Sequence, residues 1–206
     1  MPAARRQLSL FRITALIVFL GLWAVGAARA FTTVVIDAGH GGKDPGCHWN
    51  GLVERDLCLD VARRLNTLLQ ARDLKTVMTR TSDVYVELSE RAAIANRHDD
   101  AIFVSIHFNA SRDQSISGIE VHHRSKAGKV LAGCIKEGIS KTVKGRLRDG
   151  DWQDYKVLRE THATAVLVEC GFISHPGEAA RCADPDHRRA LAQGIAKGIL
   201  AAKTKL

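Results

Sequence analysis

The chain has 206 residues, 46% of them hydrophobic, and a formal net charge of +8. That length suits one domain with a sizeable core and leaves no room for a second of comparable size. No basic run with interleaved aromatic residues is present, which argues against nucleic acid as a partner.

The first thirty residues read as an export leader. Arg5, Arg6 and Arg12 precede or open an apolar stretch from Ile13 to Ala28, and Ala28-Arg29-Ala30 supplies a small-x-small cleavage pattern. The stretch is shorter than the ~20 residues that span a bilayer, so a cleaved leader is expected over an uncleaved anchor. Arg5-Arg6-Gln7-Leu8 carries a faint twin-arginine pattern. Residues 31–206 then form the exported domain, periplasmic or extracellular, with no membrane attachment after cleavage. Four arginines and no acid leave with the leader, which lowers the charge to +4, compatible with an anionic polymer or simply with a solvated surface. The five cysteines, Cys47, Cys58, Cys134, Cys170 and Cys182, match no disulfide scaffold, and one at least must be a free thiol or pair with another chain. They include no CxxC pair, which argues against thiolate zinc ligation.

Val34-Val35-Ile36 reads as a short buried strand, closed by the glycine-rich turn through Gly42. A loop follows through Pro45, Gly46, Asn50 and Gly51. From Glu54, the apolar positions Leu57, Val61, Leu65 and Leu68 recur at three- and four-residue spacing, which predicts a helix with one buried face. Leu74 to Met78 reads as a strand, Leu88 to about His98 as a helix, and Ala101 to Ile106 as a buried strand that delivers His107. Gly118 to His123 alternates as a strand would. Ser125 is the expected N-cap of a helix whose inner face carries Val130, Leu131, Cys134, Ile135 and Ile139. Lys141 to Tyr155 is polar and reads as an exposed loop, and Ala163 to Val168 as another buried strand. Asp184 and Pro185 open the last helix. Strands alternating with helices predict a single α/β domain, a mostly parallel twisted sheet covered by helices on both faces.

In such a sheet the carboxyl ends of the strands line the ligand crevice, so polar residues far apart in sequence converge there. His40, His107 and Glu169 each follow an apolar strand, and Glu54 opens a helix, where the dipole favours a carboxylate. Two imidazoles and one carboxylate suit a zinc ion with an open position, and a second carboxylate suits a proton carrier. An ionised Glu169 beside a sheet core costs several kcal/mol unless something compensates it, so a functional role is expected. Asp44, Asp56 and Asp60 are rivals to Glu54 as ligand on spacing alone. His122 and His123, adjacent on a strand, face opposite sides. His48 and His162 read as rim or surface residues, and Cys170 as a buried structural thiol rather than a nucleophile.

Four ordered motifs carry a resemblance. Asp37 to Gly42 with Asp44-Pro45-Gly46, Gly51 to Asp56, Ser105 to Ala110, and Glu169 to Ser174 are together similar to the zinc-dependent N-acetylmuramoyl-L-alanine amidases that cleave bacterial peptidoglycan. Thr79-Arg80, Asp83, Leu88, Arg91 and Ala95-Asn96 fit the same pattern in order, and the match runs from about Thr33 into the last helix. The resemblance implies one Zn2+ ion bound by His40, Glu54 and His107, with Glu169 as the catalytic base and then acid. It implies hydrolysis of the amide between the muramoyl lactyl group and L-alanine, with peptidoglycan or a muropeptide as substrate and the chain taken as a monomer. Ala38 stands where the family often has proline. His175 stands where asparagine usually precedes Pro176, a change expected to alter a rim contact with substrate. Between Asn109 and Ser125 there is room for a short loop and one strand, but not for the helical plug that some members carry. Rival readings are a zinc exopeptidase of free peptides and a non-catalytic wall-binding or regulatory domain.

Overall fold

A computed structural model describes residues 31–150 and 152–206; the leader read from residues 1–30 lies outside them. The chain forms β1 (Thr33–Ala38), β2 (His48–Trp49), β3 (Leu52–Val53), α1 (Glu54–Gln70), β4 (Lys75–Met78), α2 (Leu88–Asn96) and β5 (Ala101–Asn109). It continues through β6 (Glu120–His123), α3 (Lys126–Ser140), α4 (Lys156–Glu160), β7 (Thr164–Phe172), α5 (Pro176–Ala183) and α6 (Pro185–Ala202).

The sheet has the order β4-β1-β5-β7-β6. All neighbours are parallel except β6, which runs antiparallel to β7. This is the mostly parallel α/β domain expected from the alternation of strands and helices. Parallel strands covered on both faces must be apolar nearly throughout, and β1, β5 and β7 are buried along almost their whole length. One face packs α1, α3 and α6 through Leu65, Leu69, Leu131, Ile135, Ile195 and Ile199, all fully buried. Each such side chain contributes about 1.5–3 kcal/mol of burial. The other face is a thinner layer, where Phe103 and Leu167 meet Ala95 of α2 and Val157 and Leu158 of α4. Because α2 and α4 are short, they leave the carboxyl ends of β1, β5 and β7 uncovered on that side, and a cleft opens there.

The capping signals operate as read: the Ser125 side chain accepts from the Gly128 N–H, and Asp184 accepts from the Asp186 N–H ahead of α6. Three local readings are corrected. Val130, read on the inner face of α3, is exposed, and the face is formed by Leu131, Cys134, Ile135 and Ile139. The loop after the first strand contains the small β2–β3 hairpin. β5 and β7 run on to Asn109 and Phe172, so His107 and Glu169 sit within strands and pair in register rather than hanging beyond their ends. Residues 110–119 form an irregular loop into β6, without a helix. All five cysteines are free, and Cys170 is buried.

Candidate metal centre and catalytic carboxylate

His40 lies just beyond β1 in a turn that reverses the chain, with φ of 58°, a left-handed conformation rare outside glycine. Two buried guanidinium groups hold it there. Arg91 donates to the carbonyls of Ala38 (2.6 Å) and His40 (2.7 Å) and pairs with Asp37 at 2.8 Å. Arg80 donates to the carbonyls of Ala38 (2.9 Å) and Gly39 (2.7 Å), and to that of Arg55 at the start of α1 (2.8 Å). Asp37 also accepts from the hydroxyls of Thr79 and Ser105. Burial would raise the Asp37 carboxyl, but the Arg91 charge and these hydrogen bonds outweigh it and hold it below its ordinary value. The charged groups under the turn are therefore all hydrogen-bonded, and they fix the carbonyls on both sides of His40.

Glu54 is the first residue of α1 and is buried. Its Oε2 accepts from the Cys47 N–H at 2.9 Å and its Oε1 from the Phe108 N–H at 3.2 Å. His40 Nε2 approaches Oε1 at 3.0 Å and His107 Nδ1 approaches the same oxygen at 2.9 Å. The imidazoles stand edge to face, with centroids 4.8 Å apart. Desolvation opposes ionisation of Glu54, yet the hydrogen bonds from His107 and His40 prevail and keep its carboxyl well below the usual range. The far nitrogen of His40, Nδ1, contacts Asp44 Oδ2 at 2.8 Å. A carboxylate on the outer nitrogen is the arrangement that orients a metal-binding imidazole.

His40, Glu54 and His107 each offer one donor atom, all within 4.8 Å of one another. Donors about 2.0 Å from a tetrahedral zinc are separated by about 3.3 Å, close to the 3.0 and 2.9 Å from the two imidazoles to Glu54 Oε1, and the N,N,O donor set is one zinc accepts. The rivals do not join. Asp44 stands behind His40, and Asp60 pairs with Arg64 and Arg188. Asp56 is exposed and lies 3.6 Å from Arg55.

Glu169 pairs in register with His107 across β5 and β7 and lines the same cleft, which has a volume of about 300 Å³. It is buried, and its Oε2 has no hydrogen-bond partner. Burial pushes its carboxyl up to about 7; nearby His107 opposes that shift, while Glu54 and Glu120 add to it. Glu120 sits directly opposite on β6, held by Arg148 at 2.6 Å. His122 faces the cleft side, edge-on to the Tyr155 ring at 5.5 Å, and His123 faces α3. His175 caps α5, its Nδ1 accepting from the Glu178 N–H at 3.2 Å. The departure at 175 thus replaces one helix cap with another, since asparagine is itself a preferred cap.

Arg80, Arg91, Glu120 and Glu178 are the contributors that residue-type reasoning leaves without a role. The buried Glu178 carboxylate accepts from the N–H groups of Phe172 and Gly118, joining the end of β7 to the approach to β6. Buried charge in a short motif was the available signal for the two arginines; nothing local marks the other two.

A parallel α/β sheet with a three-donor cluster and an unpartnered buried carboxylate at its strand ends defines a hydrolase-like α/β domain. The comparisons narrow this class. Residues 34–201 match the family model described as N-acetylmuramoyl-L-alanine amidase, and the chain belongs to that family. It is 34% identical over 170 residues to the probable cell wall amidase LytH of Staphylococcus epidermidis, a match covering 81% of this chain and 57% of that relative. Its fold is similar to that of the N-acetylmuramoyl-L-alanine amidase from Clostridium difficile 630, with TM-score 0.79, 37% identity, and 84% and 96% of the two chains covered. Amidase AmiC2 of Nostoc punctiforme gives TM-score 0.80 at 33% identity, over 85% and 98%.

Proposed function

We propose that the chain is a zinc-dependent N-acetylmuramoyl-L-alanine amidase that hydrolyses the amide between the muramoyl lactyl group and the L-alanine of the peptidoglycan stem peptide. The observation that carries the reading is the unpartnered, buried Glu169 oxygen in the cleft that also holds His40, Glu54 and His107. Family membership and the amidase names of its relatives support the substrate class.

His40, Glu54 and His107 would hold the ion, with Asp44 fixing the tautomer and orientation of His40. A zinc ion there supplies Lewis acidity, polarising the scissile carbonyl and acidifying the attacking water. Glu169 accepts the proton of that water as its oxygen bonds to the carbonyl carbon. The same carboxyl then delivers the proton to the alanine nitrogen, because an amide nitrogen leaves poorly until protonated. A carboxyl raised towards neutrality suits both halves of this exchange. Leu88, Val157 and Leu167 give the cleft an apolar wall beside Glu169. In the cell we place the mature domain outside the cytoplasmic membrane, after removal of residues 1–30.

Metal analysis of purified protein tests the reading. One zinc per chain is expected, with loss of wall hydrolysis on chelation and recovery on adding zinc. Undiminished hydrolysis by chelated protein carrying His107→Ala would overturn it.

A further inference from the structure

The cleft runs from the donor cluster between α2 and α4, and its outer lip carries Tyr155 and Lys156. Beyond the histidines, Arg91 and Lys156 are the cations that line it among the described residues. Arg91 is buried and committed to Asp37 and three carbonyls, so Lys156 supplies the cationic group available to a ligand. Its side chain is 44% exposed, and its partner on α4, Glu160, lies at 3.9 Å, the far limit of an ion pair. Such a contact is worth little and leaves the ammonium free to turn into the cleft.

The lip has contacts at both ends. Asp154, just ahead of α4, is gripped by Arg124 at 2.8 Å and Arg159 at 2.9 Å. The Tyr155 ring rests on buried His122, and at the far end Asn96 of α2 donates to the Glu160 carbonyl at 2.8 Å. Lys156 is therefore presented from a short helix whose start and end are both held against neighbouring elements, by the Tyr155–His122 ring contact and the Asn96 hydrogen bond.

Charge complementarity selects the occupant. Asp44, Glu54 and Glu169 line the inner cleft and would together offset the charge of a divalent ion held there, so the remaining positive charge of the cleft lies at the lip, on Lys156. The stem peptide is itself acidic: its second residue is a glutamate joined through its side chain, which leaves an α-carboxylate one residue from the scissile amide. Resting on the amidase reading above, we propose that the stem peptide leaves the centre along the α2–α4 cleft, and that Lys156 is a specificity-determining residue recognising that carboxylate.

The test uses the full zinc-loaded chain and two soluble muropeptides identical except that this carboxylate is free in one and a carboxamide in the other. The chain should favour the free acid by about fivefold in kcat/KM, carried by KM, the range of a half-exposed ion pair. Lys156→Met should bring the ratio to about one, Lys156→Glu should reverse it, and Lys156→Arg should retain it. Lys129→Met, on α3, should leave it as in the parent chain. A ratio of one in the parent chain, or a preference that survives Lys156→Met, overturns the proposal while leaving the amidase reading intact. Failure to release peptide from either muropeptide overturns both.

Discussion

Arg91 and Asp37 form a fully buried ion pair, Nη1 to Oδ1 at 2.8 Å, directly beneath the turn that carries His40. The same guanidinium spans the carbonyls on either side of Gly39, so the pair sets a left-handed His40 that an unsupported turn would abandon. Arg91→Met leaves Asp37 charged and unpaired, and should cost about 3–5 kcal/mol in urea unfolding of metal-free protein. Adding Asp37→Asn should recover part of that loss. Asp37 is held below its ordinary value, so its contribution is present above that value and is lost as pH falls through the folded value. A double variant no more stable than the single one would contradict this account of the pair.

Gly39 leaves no room for a side chain. A Cβ there would lie 2.4 Å from His107 Cε1 and 2.5 Å from Nε2. Gly39→Ala should push the ring out of the donor cluster and weaken zinc binding by at least about tenfold, or about 1.4 kcal/mol. Competition with a chromogenic chelator measures this. Unchanged affinity would mean that His107 is not held where the cluster requires it.

Glu169 should show opposite effects on activity and stability. Glu169→Gln removes the proton carrier and should lower turnover on wall by about 10²–10⁴-fold while zinc remains bound. Its folded value of about 7 exceeds the ordinary 4.5, so the wild-type carboxyl disfavours folding increasingly as pH rises from 4.5 to 7, and the cost levels off above that. Metal-free Glu169→Gln should accordingly be about 2 kcal/mol more stable than the parent at pH 8, with the gain vanishing near pH 4. A gain that grows towards acid would reverse the sign of the argument.

His175 acts as the cap of α5, a role that asparagine would also fill. His175→Asn should unfold within a few tenths of a kcal/mol of the parent, and His175→Ala should lose about 1 kcal/mol. Both should keep kcat/KM on muropeptides within about twofold. A large change in KM with unchanged thermal stability would show a rim contact instead.

The part of this architecture legible in the sequence is the part written in local pattern. The buried strands, the faces of α1 and α3, and the caps at Ser125 and Asp184 follow from periodicity and side-chain chemistry. The convergence of His40, Glu54, His107 and Glu169 follows from the strand-end rule together with ordered motifs. What stayed out of reach depends on contacts between distant segments. The carbonyls of the His40 turn that Arg80 and Arg91 bind lie roughly 40 to 50 residues earlier in the chain. Glu120 meets Glu169 only because β6 joins the sheet antiparallel at its edge. α4 is too brief for a periodic signature, and a tie from Asn96 to the Glu160 carbonyl secures its end.

The most direct measurement is the mass of the fragments that the zinc-loaded chain releases from purified peptidoglycan. The account predicts stem peptides with a free L-alanine amino group and glycan strands whose lactyl groups end in carboxylic acids. Stem peptides still joined to muramic acid, with cleavage elsewhere in the peptide or in the glycan, would contradict it.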